Sequence, residues 1–323
     1  MRISVVICAH TERRWQNLLD AVASVKAQSH EAHEIIVVID HNPALYERAA
    51  AEIDGARVVP NTDTLGLGGA RNSGLEHSTG DVVAFLDDDA VASPGVLSSF
   101  ADAYRDDDVL GVGGGIEPDW ERGRPRWYPP EFDWTIGCSY IGLPTTRAEV
   151  RNLIGCNMSY RREALEAAGR FRLGYGCDET EFCIRLAALR PGSRLIHVPE
   201  AKVRHHVPAS RGTLKHFVTR CYFEGGSKAV VSRLAGSDQG LQSERAYTRE
   251  VLPAGVLRGL RDAVVGRDPA GVLRAGAIVV GLAATASGYV IGGIRVQRAA
   301  ERRGWTGASL KRRRLPSGAV RRG

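Results

Sequence analysis

Continuous apolar runs of strand length alternate with segments of helical spacing over the first 116 residues. ISVVICA (3–9) is followed by TERRWQNLLDAVASVKAQ, in which Trp15, Leu18, Leu19, Val22 and Val25 recur every three to four residues and Thr11 stands where a cap belongs. EIIVVID (34–40) precedes NPALYERAAAEI, with Asn42 as N-cap and Pro43 at the first helical position. RVVP (57–60) reads as a third strand and GLGGARNSGLEHS as a loop running into a helix. DVVAFLD (81–87) is a fourth strand, and Ser93-Pro94 opens another helix. Buried strands alternating with helices predict an α/β fold with a mostly parallel central sheet flanked by helices.

After VLGVGGGI (109–116) the rhythm breaks. EPDWERGRPRWYPPEFDW (117–134) has no period and reads as a long surface loop, of the kind that is usually functional or mobile. NLIGCNMSYRREALEAAG returns to strand then helix, and CDETEFCIRLAALR is a helix with acids crowding its first turn. RLIHVPEAKVRHHV is a strand pair or one bent strand. TLKHFVTRCYFEGGSKAVVSRLA (213–235) reads as helical, interrupted at Gly225-Gly226. VLRGLRDAVVG (256–266) is amphipathic and basic, and AGAIVVGLAATASGYVIGGI (275–294) carries no charge. The latter is long enough to span a bilayer, yet its Gly and Ala content suits a buried helix equally. The predicted organisation is a main domain over 1–235, with halves 1–116 and 117–235. A helical, membrane-associated segment with a basic tail follows over 236–323.

Charge sharpens that division. The net charge is +6, but ten basic residues against one acid from Arg295 onward put +9 in the tail and leave −3 for the rest. Basic residues beyond an apolar segment fit the cytoplasmic side of a membrane and attract anionic lipid headgroups. Arginine clusters without interleaved aromatics are weak support for a nucleic-acid partner, and none is expected. The six cysteines (Cys8, Cys138, Cys156, Cys177, Cys183 and Cys221) form no CxxC pair and suit small buried thiols. MRISVVICAH lacks the layout of a signal peptide, so a cytoplasmic main domain is expected.

The chemistry concentrates in AFLDDDAVASP (84–94), where Asp87, Asp88 and Asp89 follow a buried run. Two unit charges about 4 Å apart repel by roughly 4 kcal/mol at an effective dielectric near 20. Carboxylates at a strand's C-terminal end are tolerable if a hard divalent cation, Mg²⁺ or Mn²⁺, takes their oxygens. The other reading is a solvated acidic turn before the next helix. GLGGAR superficially suggests a dinucleotide fingerprint, but it lies outside the first strand-to-helix turn and Arg71 replaces the third glycine. An NAD-dependent dehydrogenase is therefore a distant alternative.

VVICAHTE, EIIVVID and GLGGARNSGLEHSTGDVVAFLDDDA, in that order, resemble the first half of glycosyltransferase family 2, with its GT-A nucleotide-sugar fold. The resemblance spans about residues 1–230. More narrowly, DHNPALYERA and GCDETEFCIRL resemble glucuronosyltransferases acting on glucosyl-dolichyl phosphate. The family pattern implies that Asp40 contacts the nucleotide base and that Arg71 lies near the nucleotide and phosphates. It puts Ala9, Glu12, Gly68 and Asp88 in the nucleotide-sugar site. Asp87 falls on the ribose side or the metal, and Asp89 on the metal that bridges the diphosphate. Asp178-Glu179 inverts the family's Glu-Asp order, so Glu179 matches the catalytic base and Asp178 is the runner-up. His205 or His206 stands where relatives supply a histidine to the metal, and His205 fits better. Because adjacent strand residues face opposite ways, at most one of the two binds. Arg220 and Lys228 match a segment that closes over the diphosphate. Trp120, Trp127, Tyr128 and Trp134 either offer an acceptor wall, since aromatic faces suit sugar rings, or simply pack the loop.

These readings converge on a metal-dependent, inverting glycosyltransferase. Its expected partners are a UDP-linked sugar, an acceptor glycan or lipid-linked sugar, and a membrane surface. The rival from another class is a catalytically silent nucleotide-sugar-binding scaffold.

Overall fold

The computed structural model describes residues 1–172, 178–235 and 242–301. The sequence-predicted Cys177 and the arginine-rich tail beyond residue 301 lie outside them. Contacts divide the chain into two interleaved units. One gathers Met1–Asp119, Pro144–Phe171 and Arg185–His206; the other gathers Trp120–Leu143, Arg172–Ile184 and the chain from Val207 onward.

The first unit is built on the sheet. β1 (Ile3–Ala9), β2 (Glu34–Ile39), β3 (Arg57–Pro60) and β4 (Val82–Asp87) form a parallel block in the order β3-β2-β1-β4. The alternating pattern predicts this block, since parallel strands need helical crossovers. α1 (Trp15–Lys26), α2 (Pro43–Glu52) and α3 (Leu67–His77) supply them, and Asn42 caps α2 through its side chain, 3.1 Å from the Leu45 amide. β5 (Ala90–Ala92) and α4 (Val96–Ala103) follow the aspartates. Beyond β4 the order continues through β8 (Asn157–Arg161), β6 (Val109–Trp120), β9 (Arg194–Val207) and β5. There β8 joins both β4 and β6 antiparallel, and β9 joins β5 antiparallel. β7 (Ala148–Glu149) pairs with β9 off this path, and α5 (Arg162–Ala168) follows β8. RLIHVPEAKVRHHV is thus one continuous strand.

The second unit corrects two expectations. The segment 117–134 is not a free surface loop: β6 runs on to Trp120, and Pro130–Ile136 coils into 3-10 turns with Phe132 buried. Its aromatics have an interior to fill, because Trp127, Tyr128 and Phe132 all pack their rings against Phe217. The helix over 213–235 is not interrupted either, since α7 spans Leu214–Ala235 without a break. α6 (Asp178–Leu189) begins in this unit. The C-terminal part comprises α8 (Gln242–Ala246), α9 (Leu252–Val264) and α10 (Ala270–Glu301). Buried Glu131 meets Arg258 of α9, and Tyr247 donates to the Glu131 carbonyl, so these helices are tied to the 120–143 segment.

Gly225 is a contact residue in this unit rather than a helix breaker. A Cβ at Gly225 would lie 2.0 Å from the Thr285 carbonyl oxygen of α10, and one at Gly288 would lie 1.9 Å from that of Tyr222. Gly276, on the same α10, has nothing within 4 Å of such an atom. Gly225→Val should therefore cost about 1–3 kcal/mol or more by overpacking. Gly276→Ala should be neutral or gain about 0.5–1 kcal/mol from the lower entropy cost of fixing alanine. Urea unfolding midpoints of the two variants check this; equal midpoints would refute close α7–α10 packing.

Candidate active site

The site is assembled at the C-terminal ends of the parallel strands. β1 and β4 are paired through Cys8 and Asp87, which places Asp87 at the last rung of the ladder. The apolar side chains that precede it are buried, so the chain must turn there, and it turns on Asp88 and Asp89. Both are nearly inaccessible, at 2% and 3% exposure.

Three carboxylates there meet two guanidiniums. Arg14 Nη1 lies 2.5 Å from Asp89 Oδ2 and 3.0 Å from Asp88 Oδ1. Arg71 Nη2 lies 3.6 Å from Asp87 Oδ1 and donates to the Gly155 carbonyl at 3.0 Å. Two arginines thus carry part of the neutralisation that the sequence pattern assigns to a cation. The remaining deficit shows at Asp88. Burial raises its carboxyl to about 7, against the pull of Arg14 and with Asp89 and Asp87 adding to the rise. Its Oδ2 is buried without a hydrogen-bond partner among the described residues.

His205 completes the cluster. β9 pairs Ala90 with His205, and the buried imidazole Nε2 lies 3.1 Å from Asp89 Oδ1. The neighbouring His206 instead donates its backbone N–H to the Asp89 carbonyl at 2.8 Å. Asp87, Cys156 and His205 offer ligand atoms that all lie within 4.8 Å of one another. Carboxylate oxygens, an imidazole nitrogen and a buried acid with an unmet oxygen fit a divalent cation.

Cys156 and Arg14 are the residues sequence reasoning missed. Antiparallel register delivers the first: Leu86 pairs with Asn157, which puts Cys156 opposite Asp87, and the Asp87 N–H faces the Cys156 carbonyl at 3.3 Å. Arg14 ends a 3-10 turn, Glu12–Arg14, in which the Arg13 amide donates to the Thr11 side-chain oxygen at 3.4 Å. The only sequence sign was two arginines just after the first strand.

Asp40 is engaged in holding the loop before α3. Its Oδ1 accepts from Asn61 Nδ2 at 2.6 Å and its Oδ2 accepts from the Gly66 amide at 2.9 Å. Gly66 has φ 120°, a conformation that favours glycine, and it leads into α3 with Gly68, Gly69 and Arg71 buried on its first turns. Ala9 ends β1 and accepts the Asp40 amide at 2.8 Å, whereas Glu12 is solvent-exposed. The first unit therefore brings together Ala9, Asp40, Gly68, Arg71, the three aspartates and His205.

The remaining candidates belong to the second unit. Asp178 and Glu179 open α6 and are both half-buried, with Glu181 paired to Arg172 at 3.1 Å. Lys228 is held between Glu224 and Glu244, at 3.3 and 2.7 Å, while Arg220 is half-buried on α7. Tyr128 is buried and bonded to Thr135, so it is core rather than acceptor wall. Trp134 donates to the Tyr247 hydroxyl at 3.2 Å.

Comparison with known proteins decides the family. The family model described as glycosyl transferase family 2 matches residues 4–169, just over half of the chain. The chain belongs to glycosyltransferase family 2. A glucosyl-dolichyl phosphate glucuronosyltransferase of Haloferax volcanii is 32% identical over 304 residues, covering 90% of this chain and 96% of that protein. The succinoglycan biosynthesis protein ExoM of Rhizobium meliloti is 27% identical, covering 80% of this chain and 93% of its own. Among solved structures, a mannosyltransferase from Pyrobaculum calidifontis in complex with GDP-Man and Mn²⁺ superposes with TM-score 0.56 at 18% identity, covering 88% of this chain and 86% of that one. GalNAc-T7 with UDP, GalNAc and Mn²⁺ gives TM-score 0.52 at 20% identity, covering 72% and 51%. These two establish the GT-A fold. As a family 2 member, the chain is an enzyme that transfers a glycosyl group from a nucleotide-sugar donor.

Proposed function

We propose that this family 2 enzyme is metal-dependent and inverting, and that it moves a sugar from a UDP-linked donor to a hydroxyl of a lipid-linked glycan. The observation that carries the reading is the convergence of Asp87, Cys156 and His205 at the strand ends, with Asp89 3.1 Å from the same imidazole. The lipid-linked acceptor is supported by the name of the Haloferax relative, over nearly its full length. Catalysis is assigned to the domain over 1–235, at the cytoplasmic face of a membrane.

Asp89, Asp87 and His205 would hold the cation, which supplies positive charge to the departing diphosphate. Asp40 and Arg71 position the nucleotide, the arginine with a planar fork suited to phosphate oxygens. Glu179 accepts the proton of the acceptor hydroxyl as that oxygen bonds to the anomeric carbon. The bond from the anomeric carbon to the diphosphate oxygen breaks in the same displacement, and its electron pair leaves with the nucleoside diphosphate. One displacement inverts the anomeric configuration.

A panel of UDP- and GDP-linked hexoses and uronic acids, incubated with full-length protein with and without Mn²⁺, tests this. Hydrolysis of a UDP-linked member that needs the cation is expected. Equal turnover after chelation would overturn metal dependence, and preference for GDP donors would overturn the base assignment.

A further inference from the structure

Twelve of the eighteen large apolar side chains exposed among the described residues lie between Leu257 and Ile294. On α10 the exposed positions Val272, Val279, Ala286, Val290 and Ile294 recur every four or seven residues along one face. From Ala275 to Ile294 no residue is charged, so the stripe is apolar for about 30 Å of helix. On α9, Leu257, Leu260 and Val264 form a second exposed row, with Val264 at 80% exposure. Patches of this size on a folded chain mark a surface that something covers.

The opposite face of α10 is sealed. Besides the Gly225–Thr285 and Gly288–Tyr222 approaches, a Cβ at Gly292 would come 2.7 Å from the Gly226 Cα. A membrane-crossing α10 would take α7 with it, and α7 carries Lys215, Arg220, Glu224, Lys228 and Arg233. Each charge at a bilayer centre costs about 2.5–3.5 kcal/mol on insertion scales. Crossing is therefore disfavoured although α10 is long and apolar enough for it.

Charge selects the occupant. Arg261 and Arg267 are exposed beside the α9 row, and Arg295 and Arg298 are exposed at the end of α10. Residues 302–323 add eight basic side chains and no acid. A second copy would bring these like charges together. An anionic lipid surface would gain about 1 kcal/mol per basic residue near it.

We propose that α9 and α10 form an in-plane docking surface for anionic lipid, with the apolar rows sunk to the headgroup level and α10 not crossing the bilayer. Apolar burial and basic headgroup contacts are the two terms that hold interfacial helices. The docking does not depend on the donor, the acceptor or the cation of the reaction above, so either reading can fail alone.

Full-length protein is sedimented with vesicles of phosphatidylcholine alone or mixed with phosphatidylglycerol. Binding to the anionic vesicles, weakened by salt, is expected, as is release from native membranes by alkaline carbonate. The exposed pair Val279→Asp/Val290→Asp should lower partitioning at least about tenfold with an unchanged unfolding midpoint. A destabilised pair is replaced by Val279→Ser/Val290→Ser, which should also weaken binding. Carbonate-resistant protein would show a spanning helix and overturn the proposal. Unchanged vesicle binding by the paired variant would assign binding to the tail alone. A dimer in solution that ignores vesicles would assign the face to a second copy.

Discussion

Asp89→Asn lowers donor turnover about 10²–10³-fold, the cost of removing one preorganised electrostatic group from a reacting centre. The amide keeps the shape of the carboxylate but removes the charge that faces both Arg14, at 2.5 Å, and His205, at 3.1 Å. The fold should survive, because the variant's oxygen still accepts from Arg14. The loss should appear mainly as a higher Mn²⁺ requirement and a lower kcat. Kinetics across a Mn²⁺ series check this, and unchanged turnover at every concentration would place the cation elsewhere.

Glu179→Gln lowers kcat about 10²–10⁴-fold, the usual worth of a positioned general base. The KM for donor and the affinity for UDP should stay within about threefold, since a base that acts on the acceptor contributes to the transition state and not to donor binding. Asp178→Asn, one residue earlier in the first turn of α6, should cost less. Steady-state kinetics on the two variants decide the order. A larger loss at Asp178 would return the base to the first of the two acids, and full activity in both would remove the base from this helix.

The parallel half of the fold was legible because each strand is a closed apolar run with a helical period after it, as ISVVICA and EIIVVID show. The aspartates at 87–89 stood out for the same reason, since three acids directly after a closed apolar run demand a countercharge. Strand alternation also separated His205 from His206, and the structure turns only the first imidazole onto Asp89. What sequence could not show are pairings made by register and by distant helices. Cys156 reaches Asp87 only through the antiparallel β4–β8 ladder, which no local pattern announces. Gly225 and Gly226 looked like breakers because their role lies in α10, about sixty residues away. The aromatics of 117–134 looked exposed because their partner, Phe217, lies on α7.

The most direct test is calorimetric titration of UDP into full-length protein with and without Mn²⁺, repeated with Asp89→Asn. The account predicts binding that requires the cation in the wild type and is lost or weakened at least tenfold in the variant, roughly 1.4 kcal/mol. Equal UDP binding in all conditions, or none in any, would contradict a cation-completed carboxylate site.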